Sequence, residues 1–310
     1  MQTYRLTIEP QTAFGTPLVG DTLFGQLCWT LHYQLGNDAL ESLLEGYTTG
    51  SPFIVLSDAF PKGYVPLPAL PSRTWDQDDK TDIKVLKKRR WLPLDALDTP
   101  LPAWQQSAKN DRDANAGALH TMQHHNTINR STGTTGTGMF APFTQPQTWY
   151  HQKSGFHLYA VLDESRLDKE TLMAAIRSIG QSGYGRDAGT GLGKFSMTAM
   201  EPWQWQRQSG TTCMTLASCA PQSLGIVPAK SYYQTQVRFG RHGDVAAKGK
   251  NPFKRPLLMT KAGAGFTLPQ EQDTPWIGQG IGNLSFYDAR TVHQGYAPVI
   301  YLPAIEGGSV

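Results

Sequence analysis

The order in which two apolar spacings alternate over the first 200 or so residues constrains this chain more than any other feature. Tyr4, Leu6 and Ile8 alternate with polar neighbours, the period of a half-buried strand. After the turn residues Gly15, Pro17 and Gly20, Asp21 is placed to cap a helix. Leu23, Phe24, Leu27, Cys28, Leu31 and Leu35 then recur at three- and four-residue spacing, which makes one face apolar. A shorter helix fits Asp38 to Leu44. Phe53 to Leu56 is a compact apolar run suited to a buried strand, broken at Pro61–Gly63. The pattern is then lost until about Tyr150 and returns as a strand at Phe156 to Leu162. Asp168 is placed to cap a helix running through Ile179, with Leu172, Met173, Ile176 and Ile179 on one face and Gly180 as its stop. A strand from Lys194 to Met200 closes the series.

Strand, helix, strand, insertion, strand, helix, strand is the split βαβ order of a ferredoxin-like (RRM-like) fold, interrupted between its second and third strands. The insertion, about 63–150, holds a basic run (Lys84 to Arg90), a polar stretch (Gln105 to Gly117) and a Gly/Thr segment (Thr132 to Gly138). It is too long for a structureless loop and is expected to carry structure of its own. The remainder is strand-rich, at Cys213 to Ala217, Tyr232 to Phe239, Leu257 to Thr260 and Val299 to Leu302, with no strong helical period. The expectation is an α+β chain of two ferredoxin-like domains. The first spans 1–205 and carries the insertion; the second, 206–310, is degenerate and β-rich. A length of 310 residues accommodates both, and 31 glycines with 21 prolines call for many turns and long ordered loops.

The densest segment is Gly183-Tyr184-Gly185-Arg186-Asp187-Ala188-Gly189-Thr190-Gly191-Leu192-Gly193-Lys194, with five glycines in eleven positions before the lysine. Such a run adopts positive φ repeatedly, approaches a ligand closely and can turn consecutive amides toward an anion. A P-loop needs glycine where Ala188 stands and Ser or Thr where Phe195 stands. A dinucleotide fingerprint runs from strand into helix, whereas here a helix precedes and a strand follows. Both nucleotide readings fail on context. Backbone contact with a ligand is the expectation, with Arg186 and Lys194 flanking it; a ligand-free hairpin-like loop is the bland alternative.

A second segment, His124-His125-Asn126-Thr127-Ile128-Asn129-Arg130-Ser131-Thr132-Gly133, packs side chains able to read base edges or grip phosphate beside a glycine-rich tail. Adjacent histidines on a strand point to opposite faces, and no Cys or Glu stands at ligand spacing, so a zinc site is rejected. Charge placement adds to this. Five Lys or Arg lie between Lys84 and Arg90. Between Lys230 and Lys261 eight basic residues face one acid, Asp244, interleaved with Tyr232, Tyr233, Phe239 and Phe253. Basic residues among aromatic rings suit a phosphate backbone with stacked bases; a solvated face is the alternative. The odd cysteines Cys28, Cys213 and Cys219 form no CxxC pair, which points to a reducing cytoplasm, and neither a signal peptide nor the run of about 18 apolar residues of a membrane span is read.

Several of these segments together resemble one family, the RAMP superfamily of CRISPR proteins, and within it the fourth Csm subunit of type III-A effector complexes. The resemblance is carried by Gly20-Asp21-Thr22-Leu23-Phe24-Gly25, Ser57-Asp58-Ala59-Phe60-Pro61-Lys62-Gly63, His125 to Arg130 leading into Gly133, Gly183 to Phe195, and Asn251-Pro252-Phe253-Lys254 with Pro256-Leu257-Leu258. Gln105 to Leu119 and the tail after Ile305 have no counterpart in it. The resemblance implies glycine-rich loops lining an RNA path in two ferredoxin-like domains. It implies a subunit without catalytic residues, metal or cofactor. That subunit holds the 5′ handle of the crRNA and docks onto the large polymerase/cyclase-like subunit beside an adjacent RAMP backbone subunit. The RNA-binding candidates are Lys62, His125, Asn126, Asn129, Arg130, Thr132, Gly133, Gly183, Gly185, Arg186, Gly189, Gly191, Gly193, Lys194, Lys254 and Arg255. Two alternatives stand beside this reading. One is a metal-free RAMP endoribonuclease cutting repeat RNA with His125 or His124 as base. The other is an adaptor that touches protein partners only.

Overall fold

The computed structural model describes residues 1–303, apart from 77–81, 152–153, 223, 244–246, 248–251 and 287. It mixes helix and strand. The amino-terminal half contributes β1 (Gln2–Pro10), α1 (Gly20–Leu35), α2 (Asn37–Leu44), β2 (Ile54–Leu56) and β3 (Phe60–Pro61). The insertion follows with β4 (Tyr64–Pro66), α3 (Ile83–Leu86), β5 (Trp91–Pro93), α4 (Trp104–Ser107), β6 (Ala118–His125) and β7 (Phe143–Tyr150). Then come β8 (Phe156–Leu162), α5 (Lys169–Ser182) and β9 (Phe195–Pro202). The remainder is β10 (Gly210–Thr215), β11 (Thr235–Arg238), β12 (Leu257–Thr260), β13 (Gly265–Gln272), β14 (Trp276–Ile281) and β15 (His293–Tyr301).

The first sheet runs β2-β8-β1-β9, with β3 also on β8, and every pairing is antiparallel. Register places Leu6 opposite Leu158 on one side and Met200 on the other. One face therefore presents Tyr4, Leu6, Ile8 and Leu158 to the buried stripes of α1 (Leu23, Phe24, Leu27, Leu31) and α5 (Leu172, Ala175, Ile176, Ile179). Burying each large side chain contributes roughly 1.5–3 kcal/mol, so the contact between the two helical stripes and the strands stabilises this core substantially.

Two helix ends differ from expectation. The cap residue of α1 is Val19 and no side chain caps it; Asp21 lies inside the first turn and turns its carboxylate to an ion pair instead. Helix α5 is capped by Asp168 as expected, with the Thr171 amide donating at 2.8 Å, but it runs through Gly180 to Ser182 and ends at Gly183. A Cβ on Gly180 would lie 2.3 Å from the Phe195 carbonyl oxygen, so this glycine permits close approach of helix to strand.

The opposite face of the first sheet, with Tyr159, is covered by Val65, Trp75, Leu92 and Trp104 of the insertion and by Trp205, Met214 and Leu216. The second sheet runs β13-β10-β15-β14, antiparallel where paired, and the elements described after β9 are strands apart from the three-residue helical turn Pro228–Lys230 and a helical residue at 247. All nine residues of β15 are buried, because its side chains enter the core of α1 (Tyr296), the shared core (Ile300) and the outer core of the second sheet (Val299, Tyr301). Gln294 of β15 joins the two sheets. Its Oε1 accepts from the Leu56 amide at 2.9 Å and its Nε2 donates to the Leu56 carbonyl at 2.8 Å, so the outward backbone groups of β2 are satisfied. Three two-stranded ribbons complete the fold: β4–β5, β6–β7 and β11–β12.

Candidate nucleic-acid interface

The glycine-rich segment leaves α5 at Gly183 and returns into β9. Gly183, Gly185, Gly191 and Gly193 all have positive φ, as does Asp187 at 63°. Three of the five glycines serve the chain's own packing. A Cβ on Gly183 would meet the Leu192 carbonyl at 2.5 Å, one on Gly185 the Thr16 side chain at 2.8 Å, and one on Gly193 the Tyr184 carbonyl at 2.1 Å. Gly189 and Gly191 instead face open space, and Gly189 has no positive φ to explain it. The loop is pinned to residues 12–19. Buried Tyr184 donates its hydroxyl to the Pro17 carbonyl at 2.9 Å and accepts from the Val19 amide at 3.1 Å. Gln26 brackets the turn, donating to the Gly183 carbonyl at 2.7 Å and accepting from the Gly185 amide at 3.1 Å. Lys194 is half-buried, and its main chain bonds Gln11 and Thr12.

Strands β6 and β7 form an arm with eight paired positions, from Ala118 opposite Tyr150 to His125 opposite Phe143. Its root is fixed by the reciprocal 2.9 Å backbone bonds of Phe14 and Thr148, and by Tyr150 packed edge-on against Phe14 and Phe156. Arg186 ties the glycine loop to the arm, donating to the Pro146 carbonyl at 2.8 Å while pairing with Asp187 at 3.2 Å. Between arm and loop lies a cleft of about 300 Å³ lined by Gly15, His120, Met122, Pro146, Thr148 and Arg186.

At the arm's tip, Asn126, Arg130, Thr132 and Gly133 are exposed. Asn129 is half-buried and holds the turn: its Oδ1 accepts from the Ser131 amide at 3.0 Å and hydroxyl at 2.6 Å, and its carbonyl accepts from Gly133 at 2.8 Å. That oxygen is engaged in an Asx turn. Thr132 and Thr134 hydroxyls meet at 3.1 Å. His125 stacks on Phe143 with centroids 5.2 Å apart, whereas His124 is exposed.

The remaining candidates lie apart from the loop and the arm's tip. Lys62 is exposed beside the arm's root, its amide bonded to the Gly155 carbonyl at 2.9 Å. Burial first, then the nearby Arg5 and Lys62 charges, push His157 down to about 4, so its imidazole is neutral at pH 7. Lys254 and Arg255 lie just before β12. Lys254 is half-buried under Gly240, and burial lowers its pKa; Arg255 is exposed and lies over the Phe286 ring at 5.3 Å. The basic stripe expected over Lys230 to Lys261 is thereby divided. Asp244, Lys248, Lys250 and Asn251 fall outside the described residues. Arg238 is spent on Asp21, with bonds of 2.5 and 2.6 Å. Burial pushes the Asp21 carboxyl up, but contacts from His293 and Arg238 outweigh that and hold it well below the usual range. Neighbouring Asp58 accepts from the Gly20 amide at 2.9 Å; burial foremost, and also the Asp21 charge, lift it to about 7.

Sequence reasoning missed Thr16, Gln26 and His120, and the arm itself. The glycine at 15 was the available signal, since a Cβ there would lie 2.6 Å from the Arg186 carbonyl. Among the described residues no three His, Cys, Asp or Glu are gathered where an ion could be held, and no helix is long and apolar enough to cross a membrane.

No family model matches the chain, and no curated protein matches it. Solved structures do. A chain in the crystal structure of a Csm1–Csm4 cassette in complex with pppApA is 15% identical, with a TM-score of 0.62 over 99% of this chain and 100% of that one. The cassette in complex with cA4 gives 14% identity and 0.63 over 98% and 100%. A chain of the Csm3–Csm4 subcomplex in the type III-A CRISPR-Cas interference complex gives 15% and 0.63 over 98% and 100%. Csm4 is the component these assemblies have in common. At such identity the likeness is one of fold, and it extends over nearly the whole chain.

Proposed function

We propose that this chain, folded as Csm4 is, serves as a crRNA-binding subunit of a type III-A CRISPR effector complex, working in the cytoplasm and anchoring the 5′ handle of the guide. Its two sheets then correspond to two ferredoxin-like units: a complete first one, and a second reduced to strands. The observation that carries the reading is the pair Gly189 and Gly191. Neither is called for by contact with the rest of the chain, and Gly189 is not called for by its own backbone either. Both stand on a loop tethered to the arm by Arg186. A polymer running over the loop tip and along the arm would meet the exposed Asn126, Arg130 and Thr132. Arg130 supplies phosphate attraction and the asparagine base readout.

The large polymerase/cyclase-like subunit and the adjacent RAMP backbone subunit are the protein neighbours in this reading. The chain itself acts without catalysis. His125 is stacked on Phe143, and a cleaving base at the handle would destroy what the subunit holds.

The test is photocrosslinking of the handle in an assembled complex carrying Gly189→Val. The substitution introduces branched bulk at a position with room for it, so the fold is retained while close backbone approach is blocked. About tenfold less crosslinking is expected; crosslinking equal to the parent refutes the reading. Labelled repeat RNA incubated with the purified chain is expected to keep its length. Specific cleavage that disappears in His125→Ala would replace the reading with the endoribonuclease.

A further inference from the structure

Strand β7 presents an ordered row of side chains on one face of the arm. Phe143, Gln145, Gln147 and Trp149 alternate with Thr144, Pro146 and Thr148, so the row reads ring, amide, amide, ring. Its cross-strand partners on β6 are His125, Gln123, Thr121 and Leu119. The two outer rings are open to solvent, Phe143 at 46% and Trp149 at 45%. The amides between them are more enclosed, yet the chain makes no use of their polar atoms. Gln147 is only 7% exposed and lines the cleft with Gly15 and Arg186, and among the described residues its amide takes part in no hydrogen bond. The Oε1 of Gln145 is enclosed without a hydrogen-bond partner, and so is the Nε2 of His125 at the end of the row. Enclosed polar groups are nearly always paired, and this fold pairs both ends of the buried Gln294 amide. Three unpaired groups gathered on one face therefore point to a ligand outside the chain.

The chemistry of the face selects its occupant. Residues 114–150 contain no Asp or Glu, so a polyanion meets no repulsion along the arm. Arg130 at the tip and Arg186 at the root supply positive charge. An amide sets an acceptor beside a donor, the pattern that a base edge completes. A ring on either side offers an unstacked base a surface to lie on. A phosphate backbone alone would call for cations at 145 and 147, and a docked protein core would call for apolar side chains there.

We infer that this face of the arm reads the bases of the guide's single-stranded 5′ handle. Gln145 and Gln147 pair with base edges, with the His125 Nε2 beside them, and the Phe143 and Trp149 rings take bases by stacking. The terminal torsion of a glutamine is soft, so the Gln145 amide can turn its enclosed oxygen outward as a base arrives. The inference rests on the functional reading above. It deepens that reading by placing sequence readout in the glutamine row, whereas the tip's Asn129 is committed to its own turn.

Guide RNAs carrying the parental handle or a scrambled one compete for assembly into the effector complex, and the bound share of each is quantified. The first variant joins Gln145→Leu with Gln147→Leu, which keeps volume and removes both amides. Neither amide bonds within the described chain, so the melting transition is expected at or above the parent's. The preference for the parental handle is expected to fall about tenfold, the share of one lost amide–base pair. The second variant, Trp149→Leu, removes a ring alone and is expected to weaken both guides alike, since stacking is tolerant of sequence. It also guards against misfolding of the first.

A parental preference retained by the leucine pair overturns the inference. So does a lowered melting transition, which would give the amides a structural role, and so does parental binding of both guides by Trp149→Leu. Loss of a protein subunit with both guides retained overturns it in favour of a protein-docking face. A parent complex that shows no preference for its own handle fails at the functional reading instead, and takes the inference with it.

Discussion

Replacing Gln294 with methionine isolates the junction between the two sheets. The side chain is fully buried and makes both of its hydrogen bonds to Leu56, at 2.9 Å to the amide and 2.8 Å to the carbonyl. Methionine fills similar volume but pairs with neither group. Each orphaned buried backbone group costs roughly 1–3 kcal/mol, about 2–6 kcal/mol for the pair. The more apolar side chain offsets roughly 1 kcal/mol of that. A net loss of about 3 kcal/mol is expected, which at roughly 2 °C per kcal/mol lowers the melting temperature by about 6 °C. Thermal denaturation followed by circular dichroism reads it. Gln294→Glu sharpens the test. A protonated carboxyl can make both bonds and an ionised one cannot, and burial raises its folded pKa. This variant is therefore closest to the parent at low pH and falls away as pH rises through that raised value. A Gln294→Met chain as stable as the parent would refute the junction's role.

Asp21→Ala leaves Arg238 beside the helix start without its hydrogen-bonded carboxylate, a loss of roughly 3 kcal/mol; hydrogen exchange is expected to quicken in β11 and β12. Asp58 has the opposite sign. Because its folded pKa is raised to about 7, its contribution is present at low pH and lost as pH rises through 7, so Asp58→Asn should gain stability relative to the parent between pH 5 and pH 8, as denaturant melts at both values would record. Gly193→Ala meets the Tyr184 carbonyl at 2.1 Å and a φ of 73°, so it is expected to destabilise the chain by several kcal/mol, whereas Gly189→Ala is expected to melt within about 0.5 kcal/mol of the parent.

Those contrasts show what the sequence makes legible. The first sheet and its two long helices are readable because each buries one face against the same core, and their residues repeat at the matching period. The arm is invisible to that logic: most of β6 and β7 is solvent-accessible, so no burial imposes an alternation on Ala118–His125 or Phe143–Tyr150. Strand β14 is hidden by its glycines. Gly278 and Gly280 read as breakers, yet Cβ atoms there would lie 2.4 Å from the Gly295 carbonyl and 2.2 Å from the Tyr47 carbonyl, so the strand needs them for tertiary contact. Strand β13 carries Pro269, which demotes any strand pattern, in its exposed final stretch. At the site, glycine content alone could not separate Gly183, Gly185 and Gly193, which serve packing, from Gly189, which does not. Charge counting likewise could not foresee that Arg238 and Lys254 turn inward, because a partner such as Asp21 lies 217 positions away.

In the proposed function, guide RNA passes over the loop tip at 183–193 and along the arm at 124–133. The most direct measurement places a photoreactive uridine at successive positions of the guide in the assembled complex and maps the crosslinked peptides of this chain. Crosslinks from the 5′ handle falling in those two segments are the predicted result. Handle crosslinks confined to other parts of the chain, or crosslinks to these segments from the spacer alone, would contradict it.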